Sequence, residues 1–246
     1  MAMDKKLDAS VALNHEEAED PFRLSDIGLI FKNKGFWLIA ILCVLFYSSV
    51  FPFLKYAADL MVNKYGLEPG VAGTIPSLLP LGTLVLTPLF GSIYDKKGKG
   101  ATIMIIGSVL LIFVHSIFSL PILNSWIMAV ILVVLLGVAL SLVPSAMWPS
   151  VSKIIPDKQL GTAFSLIFWI QNWGLMGVPL LIGWVLDKYC INGSVIIDGN
   201  TKPTYDYTIQ MMIFTSFGVL AVIVGYMLKA EDRKKAYGLE KPNIQK

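Results

Sequence analysis

The chain has 246 residues, of which 55% are hydrophobic and only 15% charged, and its mean hydropathy is +0.68. That balance excludes an ordinary water-soluble domain and describes a chain that lives in a lipid bilayer. Its formal net charge of +3 does not imply a nucleic-acid partner, because the basic residues sit in short clusters between apolar blocks rather than along one face.

In chain order, the opening stretch MAMDKKLDASVALNHEEAEDPF is polar and acidic where a cleaved signal peptide needs an apolar core. Residues 1–34 are read as a cytoplasmic segment. Apolar blocks follow at Gly35–Leu60, Val71–Tyr94, Ala101–Leu120, Trp126–Trp148, Gly161–Leu186 and Tyr207–Leu228. Each holds about the 20 apolar residues a helix needs to cross the hydrocarbon core. Spanning strands are excluded, since lone apolar blocks would leave sheet edges unpaired in lipid. The predicted fold is all-α and integral to the membrane: six transmembrane helices over residues 35–228, then a cytoplasmic tail over 229–246.

Basic residues set the orientation. Arg23, Lys32 and Lys34, then Lys96, Lys97 and Lys99, then Lys153 and Lys158, then Lys229, Arg233, Lys234 and Lys235 share one side, whereas the opposite loops hold only Lys64, Lys188 and Lys202. The asymmetry predicts both termini in the cytoplasm. Prolines sort the spans further. Pro52, Pro76, Pro80, Pro88, Pro144, Pro149 and Pro179 lie in or near the ends of the first, second, fourth and fifth spans. They leave carbonyls unpaired, which is tolerable beside protein or water and poor against lipid. Those four spans are expected to line a pathway and the third and sixth to sit outside.

Polar and aromatic residues form stripes within these spans. Tyr47, Phe51, Lys55 and Asp59 recur every fourth residue and share one face of the first span. Lys55 would suit a substrate carboxylate. It lies about 30 Å along the axis from Gly35 at 1.5 Å per residue, close enough to the far interface to snorkel, and Asp59 at i+4 is placed to neutralise it. In the fourth span Gly137, Ser141, Ser145 and Trp148 recur beside Pro144, with Trp148 read as an interfacial anchor or a gate. In the fifth, Ser165, Phe168 and Asn172 share a face with Gln171 next to it; the two carboxamides need either interhelical partners or a solute path. His115 in the third span is expected to be peripheral. Asn192-Gly193-Ser194 is a glycosylation sequon in a loop expected outside. Cys43 and Cys190 make neither a disulfide framework nor a zinc site. With no phosphate-binding glycine loop, metal-ligand cluster or nucleophile–base pair, the residues support no cofactor, no metal and no enzymatic activity.

The turn after the second span reads GSIYDKKGKG, residues 91–100. Its plain reading is a positive-inside anchor. Its order, with Gly91, Asp95, Gly98 and Lys99 at G-x-x-x-D-K-x-G-K, resembles the cytoplasmic loop signature of the major facilitator superfamily. Gly91 is expected to let a neighbouring helix approach, and Gly98 to allow the reversal into the next span. The resemblance implies that Asp95 faces the positive N-terminal end of a neighbouring helix and nearby basic residues, closing the cytoplasmic side in one of two states.

The segment SLVPSAMWPSVSKIIPDKQLGTAFSLIFWIQNWG, residues 141–174, is similar to the superfamily's lysosomal dipeptide uniporter group, and VFPF at Val50–Phe53 adds to the likeness. It runs with gaps from Phe36 to Asp187 and covers only the second half of a twelve-helix plan. The resemblance implies a carboxyl-terminal six-helix half built of two three-helix repeats. It implies a secondary transporter moving a small solute, dipeptides by analogy, through alternating access, with Tyr47, Phe51, Lys55, Ser141, Trp148, Phe168, Gln171 and Asn172 along the pathway. The partner would be a matching N-terminal half or a second copy, in the inner membrane of a bacterium or the lysosomal membrane of a eukaryote. A different class also fits the residues: a half-length module that does not transport and serves as an assembly or regulatory subunit. An upstream reading frame encoding a first half would separate the two.

Overall fold

The computed structural model describes residues 24–197 and 200–244. A short helix α1, Leu24–Lys32, precedes the bundle. Asn33 then caps the first long helix by accepting the amides of Gly35 at 2.9 Å and Phe36 at 3.4 Å, which relieves two orphan donors. That helix, α2, runs Lys34–Tyr65 and stops at Gly66, which takes a left-handed φ of 66°. A single turn α3, Pro69–Ala72, leads into α4, Thr74–Lys97; then come α5, Gly100–Ser119, and α6, Trp126–Ile154. A 3-10 turn at Asp157–Gln159 opens into α7, Leu160–Tyr189, and the last helix, α8, spans Thr208–Lys235. Among the described residues six helices, with α4 extended back through α3 and α7 through the 3-10 turn, are long and apolar enough to cross a membrane, which makes this a multi-pass membrane protein.

Four of these helices close into a ring, with α2 on α6, α6 on α5, α5 on α8 and α8 on α2, while α4 leans on α6 and α7 leans on α2. Exchanging α2 with α6, α4 with α7 and α5 with α8 leaves this set of neighbours unchanged. The bundle is therefore two three-helix repeats. Small residues set the close approaches in the ring. A Cβ at Gly107 of α5 would lie 2.4 Å from Val143 of α6, and one at Gly218 of α8 would lie 2.7 Å from Ile112 of α5.

Ring membership corrects one expectation. His115 on α5 is not peripheral but fully buried, with Phe53 of α2 at 5.5 Å and Phe214 of α8 at 5.2 Å between ring centroids. The two wings are uncovered over much of their length, exposing Leu81, Leu84, Val85 and Leu89 on α4 and Trp169, Trp173, Leu180 and Trp184 on α7, and α8 also presents an apolar outer face with Val219, Leu220 and Ile223.

Two further features go beyond the predicted spans. The loop after α7 forms an antiparallel hairpin, β1 Ile191–Ile197 with β2 Asn200–Tyr205. Its cue is short, the β-branched run Val195-Ile196-Ile197. At the opposite, lysine-rich end, α8 continues helical to Lys235, past the expected boundary at Leu228, and the chain then turns back over the bundle.

Candidate solute pathway and gate turn

Helices α2, α6 and α7 bring five aromatic rings together. Tyr47 and Phe51, one helical turn apart, stack at 5.5 Å with planes 10° apart. Trp148 donates its indole N–H to the Tyr47 hydroxyl at 3.3 Å and stacks on Phe168 at 4.9 Å, with Phe164 at 6.0 Å. Phe51 and Phe168 are 43% and 48% exposed, so the cluster opens outward at these two rings. Gln171 is buried behind it and accepts the Cys43 thiol at 3.5 Å. Asn172 is exposed and donates to its own helix, to the Phe168 carbonyl at 2.8 Å. The close contact of α7 with α2 turns on Gly174, where a Cβ would lie 2.7 Å from the Ser48 hydroxyl and 2.8 Å from Val44.

The structure separates other residues predicted for this path. Ser141 is fully buried, and its hydroxyl bonds back to the Gly137 carbonyl at 2.8 Å, so the fold does not bring it to the aromatic cluster. Lys55 is exposed, with its ammonium 6.0 Å from the Tyr56 ring, and among the described residues it forms no ion pair with Asp59. Asp59 is taken instead by the hydroxyl of Tyr207 and by Asn63 Nδ2. The start of α8 supplies a stronger partner than the i+4 neighbour, and that corrects the expected pair. Beside it, Tyr205 donates its hydroxyl to Asp187 at 2.7 Å, which pushes the phenol up from 10.0 to about 12, with burial and the charges of Asp187 and Asp59 adding to the shift. Tyr56, Asp59, Asp187, Tyr205 and Tyr207 line a cavity of about 250 Å³ at the hairpin end.

At the lysine-rich end the turn GSIYDKKGKG is gripped by the chain's own carboxyl-terminal residues. Gly98 has φ 69°, and a Cβ there would lie 2.4 to 2.6 Å from backbone atoms of Glu240, Lys241 and Pro242. The amides of Lys99 and Gly100 donate to the carbonyls of Glu240 and Leu239 at 3.0 and 2.8 Å. Asp95 accepts Asn243 Nδ2 at 2.7 Å, and its carbonyl accepts the amides of Asn243 and Ile244, both at 3.0 Å. Lys153, at the end of α6, donates to the carbonyls of Gly238 at 3.1 Å and Lys241 at 2.7 Å, and sits 5.1 Å from the Tyr94 ring centroid. Gly91 has nothing within 4 Å of a built Cβ, so the helix approach expected there is not made within this chain. Sequence reasoning missed Glu240 and Asn243, whose partners Thr102 and Asp95 lie 138 and 148 positions away. No local pattern links residues so distant.

Known proteins resemble the chain in sequence and in fold. The lysosomal dipeptide transporter MFSD1 of Gallus gallus is 30% identical over 187 residues, covering 75% of this chain and 40% of that protein. Its Homo sapiens counterpart is 33% identical over 152 residues, 62% of this chain and 32% of that protein. An inner membrane transport protein of Escherichia coli, YdiN, is 27% identical over 163 residues. The peptide transporter POT, solved in complex with alafosfalin, superposes with a TM-score of 0.65 at 17% identity, over 85% of this chain and 40% of that one. The chain thus spans well under half the length of these curated and solved relatives. A family model described as Major Facilitator Superfamily matches residues 6–179, more than half of the chain. With the six-helix repeat bundle and the GSIYDKKGKG turn, that match establishes that the chain belongs to the major facilitator superfamily.

Proposed function

We propose that this chain is one half of a secondary transporter, which moves a small solute by alternating access when a matching six-helix half covers its open face. Dipeptides or similar small zwitterions are the proposed solutes, by likeness to the lysosomal dipeptide transporters. The observation that carries the reading is the outward-opening patch of Phe51, Phe168 and Asn172, flanked on α7 by the uncovered Trp169 and Trp173. Aromatic faces suit an ammonium group and apolar side chains, while Lys55 on the same face of α2, exposed and without an ion pair among the described residues, suits a carboxylate. Both termini are assigned to the cytoplasm, and the GSIYDKKGKG turn is assigned as a gate that closes through Asp95.

The test is counterflow of a labelled dipeptide in proteoliposomes, with the chain alone and with a candidate first half. Label should accumulate with the pair; accumulation with the chain alone would assign the second half to another copy, and none in either preparation would overturn transport. Among the described residues Asn172 bonds only within its own helix. Asn172→Leu should therefore lower the transport rate about tenfold while folded, membrane-inserted protein falls by less than about twofold, since a local side-chain bond contributes only about 0.5–1.5 kcal/mol net. Equal losses would make it packing.

A further inference from the structure

The residues after α8 form a strap with a fixed beginning and a releasable end. Asp232 Oδ1 accepts the amides of Gly238 at 2.8 Å and Leu239 at 3.0 Å, which turns the chain back on its helix. Leu239 is fully buried. Tyr237 donates to Asn33 Oδ1 at 3.2 Å, tying the strap to the cap of α2. The Glu240 carboxylate then accepts the Thr102 amide at 3.0 Å and hydroxyl at 2.8 Å, with the Lys229 ammonium at 3.5 Å. Together with the carbonyls of Leu239 and Glu240, it satisfies the amides of Lys99, Gly100 and Thr102 at the start of α5. Beyond Pro242 the bonding thins. Asn243 is exposed and holds Asp95 by a single side-chain bond and, with Ile244, two backbone bonds.

We propose that this strap, residues 237–244, is the positioning element of the gate turn: Glu240 fixes the start of α5, and Asn243 aims the Asp95 carboxylate. The choice of an amide matters. A lysine at 243 would cancel the charge of Asp95, whereas a carboxamide orients the carboxylate and leaves its charge available to the N-terminal end of an opposing helix. Release of Asn243 would let the turn change its aim while Leu239 and Glu240 keep the helix ends in place. The proposal rests on the reading of Asp95 as a gate residue, so the test must separate the two.

Amide hydrogen exchange is measured on the full chain in lipid nanodiscs, over peptides spanning Ile93 to Thr102, beside transport by the assembled pair. Asn243→Asp sets two carboxylates against each other and should speed exchange about tenfold through local opening. Asn243→Ala removes the bond without adding charge and should speed it by less. Combining Asp95→Asn with Asn243→Asp restores an amide–carboxylate pair in reverse and should bring exchange back to within about twofold of the parent. Unchanged exchange in Asn243→Asp, or failure of the reversed pair to restore it, overturns the strap. If the reversed pair restores exchange but not transport, the strap and the gate charge at Asp95 both stand. If it restores both, the strap stands and the gate reading of Asp95 fails.

Discussion

Gly91 and Gly98 belong to one short motif, Gly91 inside α4 and Gly98 just past its end, and their surroundings ask different things of them. Gly98 combines a φ of 69° with strap backbone 2.4 Å from where a Cβ would sit, whereas Gly91 faces open space. Gly98 pairs that φ with a ψ of −134°, a conformation that glycine adopts almost alone and that costs another residue on the order of 1–3 kcal/mol before any clash. Gly98→Ala should therefore destabilise the purified chain by at least about that much, read as a lower unfolding midpoint. Gly91→Ala, inside α4 with open space around it, should leave the midpoint of the chain alone unchanged or raise it, by up to about 1 kcal/mol in stability. If another half packs on Gly91, the same variant should still slow transport by the assembled pair. Equal destabilisation by both would show that the strap does not explain Gly98. The motif was legible as a string, yet the string does not say which glycine is answered within this chain.

Among the elements, the hairpin is the one the apolar pattern did not announce, and it is tied to the bundle by hydroxyl–carboxylate bonds. Tyr205 bonds Asp187 on α7, and Asp206 accepts the Thr208 hydroxyl at 2.7 Å at the start of α8. Because the folded phenol titrates at about 12 against 10.0 for a free one, the folded state holds its proton where the unfolded state has lost it. This contribution to stability is complete below pH 10 and falls as pH rises from 10.0 toward about 12. Limited proteolysis of the hairpin should accelerate over that interval, and Tyr205→Phe should remove that share of the pH dependence while raising cleavage at neutral pH. A variant with the parent's alkaline profile would locate the titration elsewhere. The helices themselves were legible because each must satisfy its own backbone inside the bilayer. A loop outside it carries no such rule.

At the scale of the whole molecule, orientation is the prediction that supports the others. In a chain whose Cys43 and Cys190 are replaced by serine, single cysteines at Lys97 and Lys158 should be protected from an impermeant thiol reagent applied from outside. Cysteines at Asn124 and Asn192 should react. The reverse pattern would move the strap and its turn to the outer face and end the gate assignment. Wings α4 and α7 expose large apolar side chains, among them Leu84, Val85, Trp169 and Trp173, and under the proposed pairing part of that surface would meet the second half.

Six spans, the lysine asymmetry, the GSIYDKKGKG string and the family could be read from the amino-acid sequence. Each is a local property: about 20 apolar residues, a short charged turn or a string of matching positions. Tertiary structure decided the partners. It placed His115 in the ring, turned Ser141 back on its own helix, gave Asp59 to Tyr207 rather than Lys55, and set Asn243 on Asp95. The physical reason lies in the membrane as a solvent. A helix face can be equally apolar against lipid or against another helix, so hydropathy marks what crosses the bilayer without saying which helices meet. Polar partners across such contacts come from elements far apart in the chain, and only the packed bundle brings them together.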